Sequence, residues 1–181
     1  MTISDEAKER VAQVLQQGEV AVDATMGNGW DTLFLAEQVG PKGLVFGFDV
    51  QQEAVTATEK RLRRADLLEC GTLLLRGHQE MAEIVPAGVG AVMFNLGYLP
   101  YAKREVVTRA ETTLAALDAA AELLRVGGLL TVICYRGHAG GQEEARAVLD
   151  WAAAQKESFL LKGPEDFPDG EHPVLLSLQK C

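Results

Sequence analysis

Short apolar runs alternate with amphipathic helical runs along almost the whole chain, and this alternation constrains the fold more than any other feature. Residues 4–18 place Ala7, Val11, Val14 and Leu15 on one helical face, with Ser4 as the expected N-cap and Gly18 as the stop. Runs at 19–23, 43–49, 72–76, 90–95 and 129–135 read as buried strands. Helices are expected at 31–39, 52–65, 107–124 and 142–156, the third ending at Val126-Gly127-Gly128. Runs at 158–163 and 173–180 close the chain with no helix between them, so they should pair antiparallel. Strands joined by crossover helices form a parallel sheet covered on both faces. Ligands in such folds bind beyond the carboxyl ends of the strands, where the strand order reverses.

The 181 residues fit one domain, taken as 1–181. The three cysteines, Cys70, Cys134 and Cys181, lie far apart, without metal-ligand or redox spacing. No metal site is expected. A charged N-terminus is not a signal peptide, and the cytoplasm is the expected compartment. The uncharged stretch 84–102 is interrupted by prolines and glycines, so it reads as a buried strand and a functional loop, with no membrane association. A net charge of −9 argues against a protein that coats nucleic acid through a broad basic face. The basic run 60–64 reads better as a solvated helix face than as an RNA patch.

The first strand runs into Asp23-Ala24-Thr25-Met26-Gly27-Asn28-Gly29-Trp30-Asp31-Thr32. Gly27 and Gly29 permit a tight turn and close approach of a ligand. The helix that follows offers unpaired N–H groups to a carboxylate or phosphate. Asp49 ends the second strand, where a carboxylate typically accepts from ribose hydroxyls. An adenosine-type cofactor is expected. Thr32 stands where a dinucleotide fingerprint wants a third glycine, and the P-loop lysine is missing. Asp23 and Asp31 would repel a pyrophosphate but suit a ligand bearing an ammonium and a sulfonium. S-adenosylmethionine is therefore favoured over NAD. The expected cofactor contacts are Asp23, Thr25, Met26, Gly27, Asn28, Gly29, Asp31, Thr32, Asp49, Val50, Gln51, Gly77, His78, Gln79, Asn95 and Leu96.

Two more loops converge on the same edge. Asn95 closes the fourth strand, where its amide carbonyl can accept from a substrate N–H and aim the nitrogen at a methyl group about 3–3.5 Å away. Tyr98 could wall a flat base. Tyr135 and His138, after the fifth strand, are expected on the same rim. Asn95, Tyr98, Tyr135 and His138 are thus the candidate catalytic residues.

Residues 23–32, 46–51, 77–80, 94–100, 112–117 and 135–141 together resemble, in order, the motifs of the bacterial rRNA-methylase family of the YtqB or MnmM type. The resemblance runs from about Val20 to Lys180. It implies a class I methyltransferase Rossmann-like fold, α/β, with seven strands, the last antiparallel, and helices on both faces. It also implies methylation of the exocyclic amine of 5-aminomethyl-2-thiouridine at the tRNA wobble position, with tRNA as a transient partner. The chain departs from the family pattern at Gln79, at Lys103 and at His172. The alternatives are a methyltransferase for rRNA or a small metabolite, a non-catalytic nucleotide-binding module, or an NAD-type oxidoreductase. The final hairpin could also mediate a homodimer.

Overall fold

The order of the parallel strands reverses beside the first strand, so the glycine loop opens at the crevice. In the computed structural model, residues 1–97, 107–164 and 170–181 are described. Their order is α1 (Ile3–Ala12), β1 (Val20–Asp23), α2 (Trp30–Val39), β2 (Leu44–Asp49), α3 (Gln52–Arg64), β3 (Gly71–Leu75), α4 (Met81–Ile84), β4 (Val89–Leu96), α5 (Ala110–Leu123), β5 (Leu124–Cys134), α6 (Gly141–Ala154), β6 (Phe159–Lys162) and β7 (Val174–Lys180). The sheet order is β3-β2-β1-β4-β5-β7-β6. Strands β1 to β5 are parallel, whereas β7 runs antiparallel to both β5 and β6. This is the expected class I arrangement.

Strand alternation divides the core. Val22, Phe94, Val132 and Leu176 belong to one buried cluster, shared with residues of α5 and α6. Ala21, Met93, Ile133 and Leu175 belong to the other, shared with residues of α1 and α2. Both faces are therefore covered, which explains the nearly unbroken apolar strands. Among the described residues no helix is long and apolar enough to cross a membrane.

Several boundaries differ from expectation; α5 begins at Ala110 rather than Val107, and β5 at Leu124 rather than Leu129. Thr2, not Ser4, caps α1: its hydroxyl accepts from Asp5 N–H while the Asp5 carboxylate accepts from Thr2 N–H. The capping box frees Ser4 for another role. The helix also stops at Ala12, and Gly18 instead donates to Val39 O at 2.7 Å, tying the linker to the end of α2. Helix α5 ends at Leu123 and β5 begins at once, so Gly127 and Gly128 lie inside a strand rather than at a helix stop. The pairing shifts there from Val89↔Leu124 to Ala91↔Leu129, a bulge. A Cβ on Gly128 would meet Arg125 O at 2.9 Å and Val89 O at 3.1 Å, so the bulge admits only glycine. The short α4 went unread because one helical turn carries no periodicity.

Candidate functional site

The glycine loop is held by two carboxylates at different depths. Asp23 is fully buried beneath it and accepts from Thr25 N–H at 3.2 Å and from the Thr32 hydroxyl at 2.6 Å. Burial, and then the nearby Asp31 charge, push its carboxyl up to about 7. Asp49 accepts from Gly27 N–H at 3.0 Å and Gln51 N–H at 2.9 Å. Burial raises its carboxyl too, against the pull of those N–H groups. With Val50 N–H also acting on it, the carboxylate keeps acceptor capacity for a ligand hydroxyl.

Gly29 caps α2 in the left-handed region, at φ 77°. A Cβ there would lie 2.7 Å from Thr58 Oγ1 and 2.8 Å from Thr58 Cα. The close approach this glycine allows is therefore that of α3, not of a ligand. Trp30, the first residue of α2, is 59% exposed, with the Arg61 guanidinium 3.3 Å from its ring centroid. The Arg61 Nε donates to Asn28 O at 2.8 Å, which fixes that stack against the loop.

A second network crosses the end of the sheet. Asn95 donates its backbone N–H to Thr25 Oγ1 at 2.7 Å and its side-chain Nδ2 to Asp31 Oδ2 at 2.6 Å. With Nδ2 so engaged, Oδ1 remains as acceptor. Asp31 Oδ1 is paired with Lys8 Nζ of α1 at 2.9 Å. Tyr135 N–H donates to Leu96 O at 3.0 Å, and burial and then the Asp31 charge push the Tyr135 phenol up.

These pieces border one cleft of about 790 Å³, ample for a nucleoside-sized ligand. Of the expected cofactor contacts, Thr25, Met26, Gly27, Asn28, Asp31, Asp49, Val50, Gln51, Gly77, His78, Gln79 and Asn95 line it. Asp23, Gly29, Thr32 and Leu96 do not; they support the lining residues from behind. Val50 is 60% exposed, an apolar surface open to a flat ring. His78 is buried, holds Ala24 O at 3.1 Å through Nδ1, and is held below its usual pKa by burial. Tyr135 and His138 share the rim with Asn95. Tyr98, Lys103 and Arg104 lie outside the described residues.

Sequence reasoning missed several lining groups: Ser4, Trp30, Arg76, Arg136 and Glu171. It also missed Glu144, which is buried and accepts from the hydroxyls of Thr108 and Thr113, both at 2.7 Å, anchoring the entry to α5. Of the basic run 60–64, only Arg61 reaches a cleft residue, through Trp30; Lys60, Arg63 and Arg64 do not line the cleft, and Arg63 pairs with Glu59. No group of three or more metal-ligating side chains occurs among the described residues.

A family model described as "Putative rRNA methylase" matches residues 45–161. A chloroplastic tRNA (mnm(5)s(2)U34)-methyltransferase of Arabidopsis thaliana is 42% identical over 146 residues, covering 75% of this chain and 53% of that protein. The chain thus spans about half the length of that relative. A crystal structure of a "putative rRNA-methylase" from Clostridium thermocellum superposes with a TM-score of 0.93 at 40% identity, covering 100% of both chains. A "putative methyltransferase" from Streptococcus mutans, crystallised with SAH, gives 0.89 at 33% identity, covering 100% of this chain and 99% of that one. With its reversed last strand, carboxylate-braced glycine loop and matching sequence, the chain belongs to the putative rRNA methylase family of class I methyltransferases.

Proposed function

We propose that this protein is an S-adenosylmethionine-dependent methyltransferase acting on the aminomethyl nitrogen of 5-aminomethyl-2-thiouridine at the tRNA wobble position. The observation that carries the reading is the Asn95 amide, tied through Nδ2 to Asp31 at the mouth of the cleft with Oδ1 left to accept. An amide oxygen so placed suits an acceptor bearing N–H, as the substrate of the Arabidopsis relative does.

The cleft fits the donor on its own chemistry. Asp31 presents a carboxylate, Asp49 offers acceptors for hydroxyls, and Val50 offers an apolar cover. When bound, the donor supplies an electrophilic methyl on a sulfonium. The protein then has to position the acceptor, a contribution that can reach about 7–11 kcal/mol. Asn95 Oδ1 accepts one N–H of the neutral amine and turns its lone pair toward the methyl carbon. In that geometry the N–C bond would form as the donor's C–S bond breaks, with the bonding pair left on sulfur. The product is a secondary ammonium, so the transfer itself requires no base. Tyr135 and His138 orient the substrate from the rim.

Arg109, exposed on the cleft, and Arg76, paired with Glu80 beside it, support an RNA substrate despite the net charge of −9. The cytoplasm is the proposed compartment. A homodimer through the final hairpin is also proposed, on the 61% exposure of Leu160 in its edge strand; sedimentation tests it. Substrate choice is tested by mass spectrometry of tRNA nucleosides from cells lacking the protein. Accumulated 5-aminomethyl-2-thiouridine is expected. Unchanged tRNA with an unmethylated rRNA position would replace this reading with the rRNA one.

A further inference from the structure

Trp30 is the most exposed aromatic residue among those described, at 59%, and it lines the cleft. One face of its indole is already taken. The Arg61 guanidinium carbon lies 3.3 Å from the ring centroid, a separation reached only directly over the ring. The guanidinium is itself anchored, because Arg61 Nε donates to Asn28 O at 2.8 Å. This backing holds the ring in one orientation, and an exposure of 59% with one face covered leaves the opposite face open. A ring fixed in this way adds little to the core. It offers a flat ligand a surface whose ordering is already complete.

The charge around the ring selects the ligand. Arg61 belongs to the basic run of α3, and Arg64 is near enough for its charge to act on it. Lys60 and Arg64 are exposed, and neither forms an ion pair among the described residues. A flat ring bordered by unneutralised cations fits a nucleobase with its phosphates. On the cleft side, the next residue, Asp31, accepts from Asn95 Nδ2 at 2.6 Å. The ring is therefore one residue away from the network that holds the acceptor amide.

We infer that Trp30, backed by Arg61, is a stacking platform for the nucleobase adjoining the methylated nucleotide of an RNA substrate, with Lys60 and Arg64 beside its phosphates. The inference rests on the RNA reading above and adds to it the residue that grips the strand next to the target. Through Trp30 the basic run of α3, which does not itself line the cleft, acts on the substrate.

The test uses an anticodon stem–loop carrying 5-aminomethyl-2-thiouridine and two copies of it, each with an abasic site on one side of the wobble position. Binding is followed by anisotropy of the labelled RNA. Trp30→Leu should weaken binding of the intact stem–loop by about 5- to 100-fold, the size of one base stacked on an aromatic ring. Trp30→Phe should recover most of that loss, and affinity for S-adenosylhomocysteine should change by less than about 3-fold in both variants. One abasic copy should bind the wild type as weakly as the intact stem–loop binds Trp30→Leu, and the substitution should cost that copy nothing further. With the other tryptophan removed by Trp151→Phe, the intact stem–loop should quench Trp30 fluorescence and S-adenosylhomocysteine should not. Equal losses from Trp30→Leu on all three RNAs, or a matching loss of donor affinity, would make Trp30 a brace for the loop and overturn the inference. So would unchanged RNA binding. If Trp30→Leu does not fold, the quenching decides, and fluorescence unmoved by the intact stem–loop overturns the inference. Quenching and abasic sensitivity without methylation of the wobble nucleotide would support the platform and refute the substrate reading instead.

Discussion

Asp23 makes stability depend on pH in a direction opposite to that of most carboxylates. It is fully buried, and its carboxyl is raised from 3.8 to about 7, first by burial and then by Asp31. The unfolded chain releases this proton near pH 3.8, but the folded protein keeps it until about pH 7. The contribution to stability is therefore complete below about pH 3.8 and is lost as pH rises through 7. A shift of about three units corresponds to about 4 kcal/mol. Asp23→Asn keeps the size of the side chain and removes the titration. Its Oδ1 can still accept from Thr25 N–H, and the Thr32 hydroxyl can rotate to accept from Nδ2. Urea unfolding of both proteins from pH 4 to pH 8 reads the effect of Asp23 together with its coupling to Asp31, since carboxylates remote from Asp23 cancel in the difference. The variant should gain on the wild type by about 4 kcal/mol across that range, most of it before pH 7. A difference independent of pH, or one that moves toward the wild type as pH rises, would refute the reasoning.

Two further outcomes follow from the packing. Gly29→Ala forces a side chain into the left-handed region and onto Thr58, so it should cost about 2–5 kcal/mol in urea unfolding and separate α3 from the loop; a loss under about 1 kcal/mol would show that α3 yields freely. Glu144→Ala leaves the Thr108 and Thr113 hydroxyls without their acceptor and should cost about 3 kcal/mol, with faster hydrogen exchange at the start of α5 and little change at β1; protection that stays uniform would contradict the anchoring role.

The sheet was legible because its signal is repeated: each strand is a short apolar run, and each crossover carries helical periodicity. The errors cluster where one residue type serves two purposes. Gly127 and Gly128 look like a helix stop, yet they make a bulge that only β4 pairing reveals. Ser4 looks like a cap, but Thr2 with Asp5 does it better, since the box satisfies two backbone donors. In the site, residues that follow a strand were legible, because topology puts every parallel strand end on one edge. Asn95, Asp49 and Tyr135 were found that way. Lys8 and Glu144 were not, because they enter from helix faces and their partners are distant in sequence. Gly29 was noticed for the right geometry and the wrong neighbour: spacing shows that a glycine is needed, but not that Thr58 fills the space.

The most direct test of the central claim is a methyl-transfer assay on an anticodon stem–loop carrying 5-aminomethyl-2-thiouridine, run with the wild type and Asn95→Ala and paired with calorimetry of S-adenosylhomocysteine. The account predicts methylaminomethyl product from the wild type. It predicts turnover lower by about 100-fold or more in the variant, the loss expected when positioning fails, with donor-site affinity changed less than about 5-fold. Normal turnover by Asn95→Ala, or a loss of activity wholly explained by lost affinity, would contradict it.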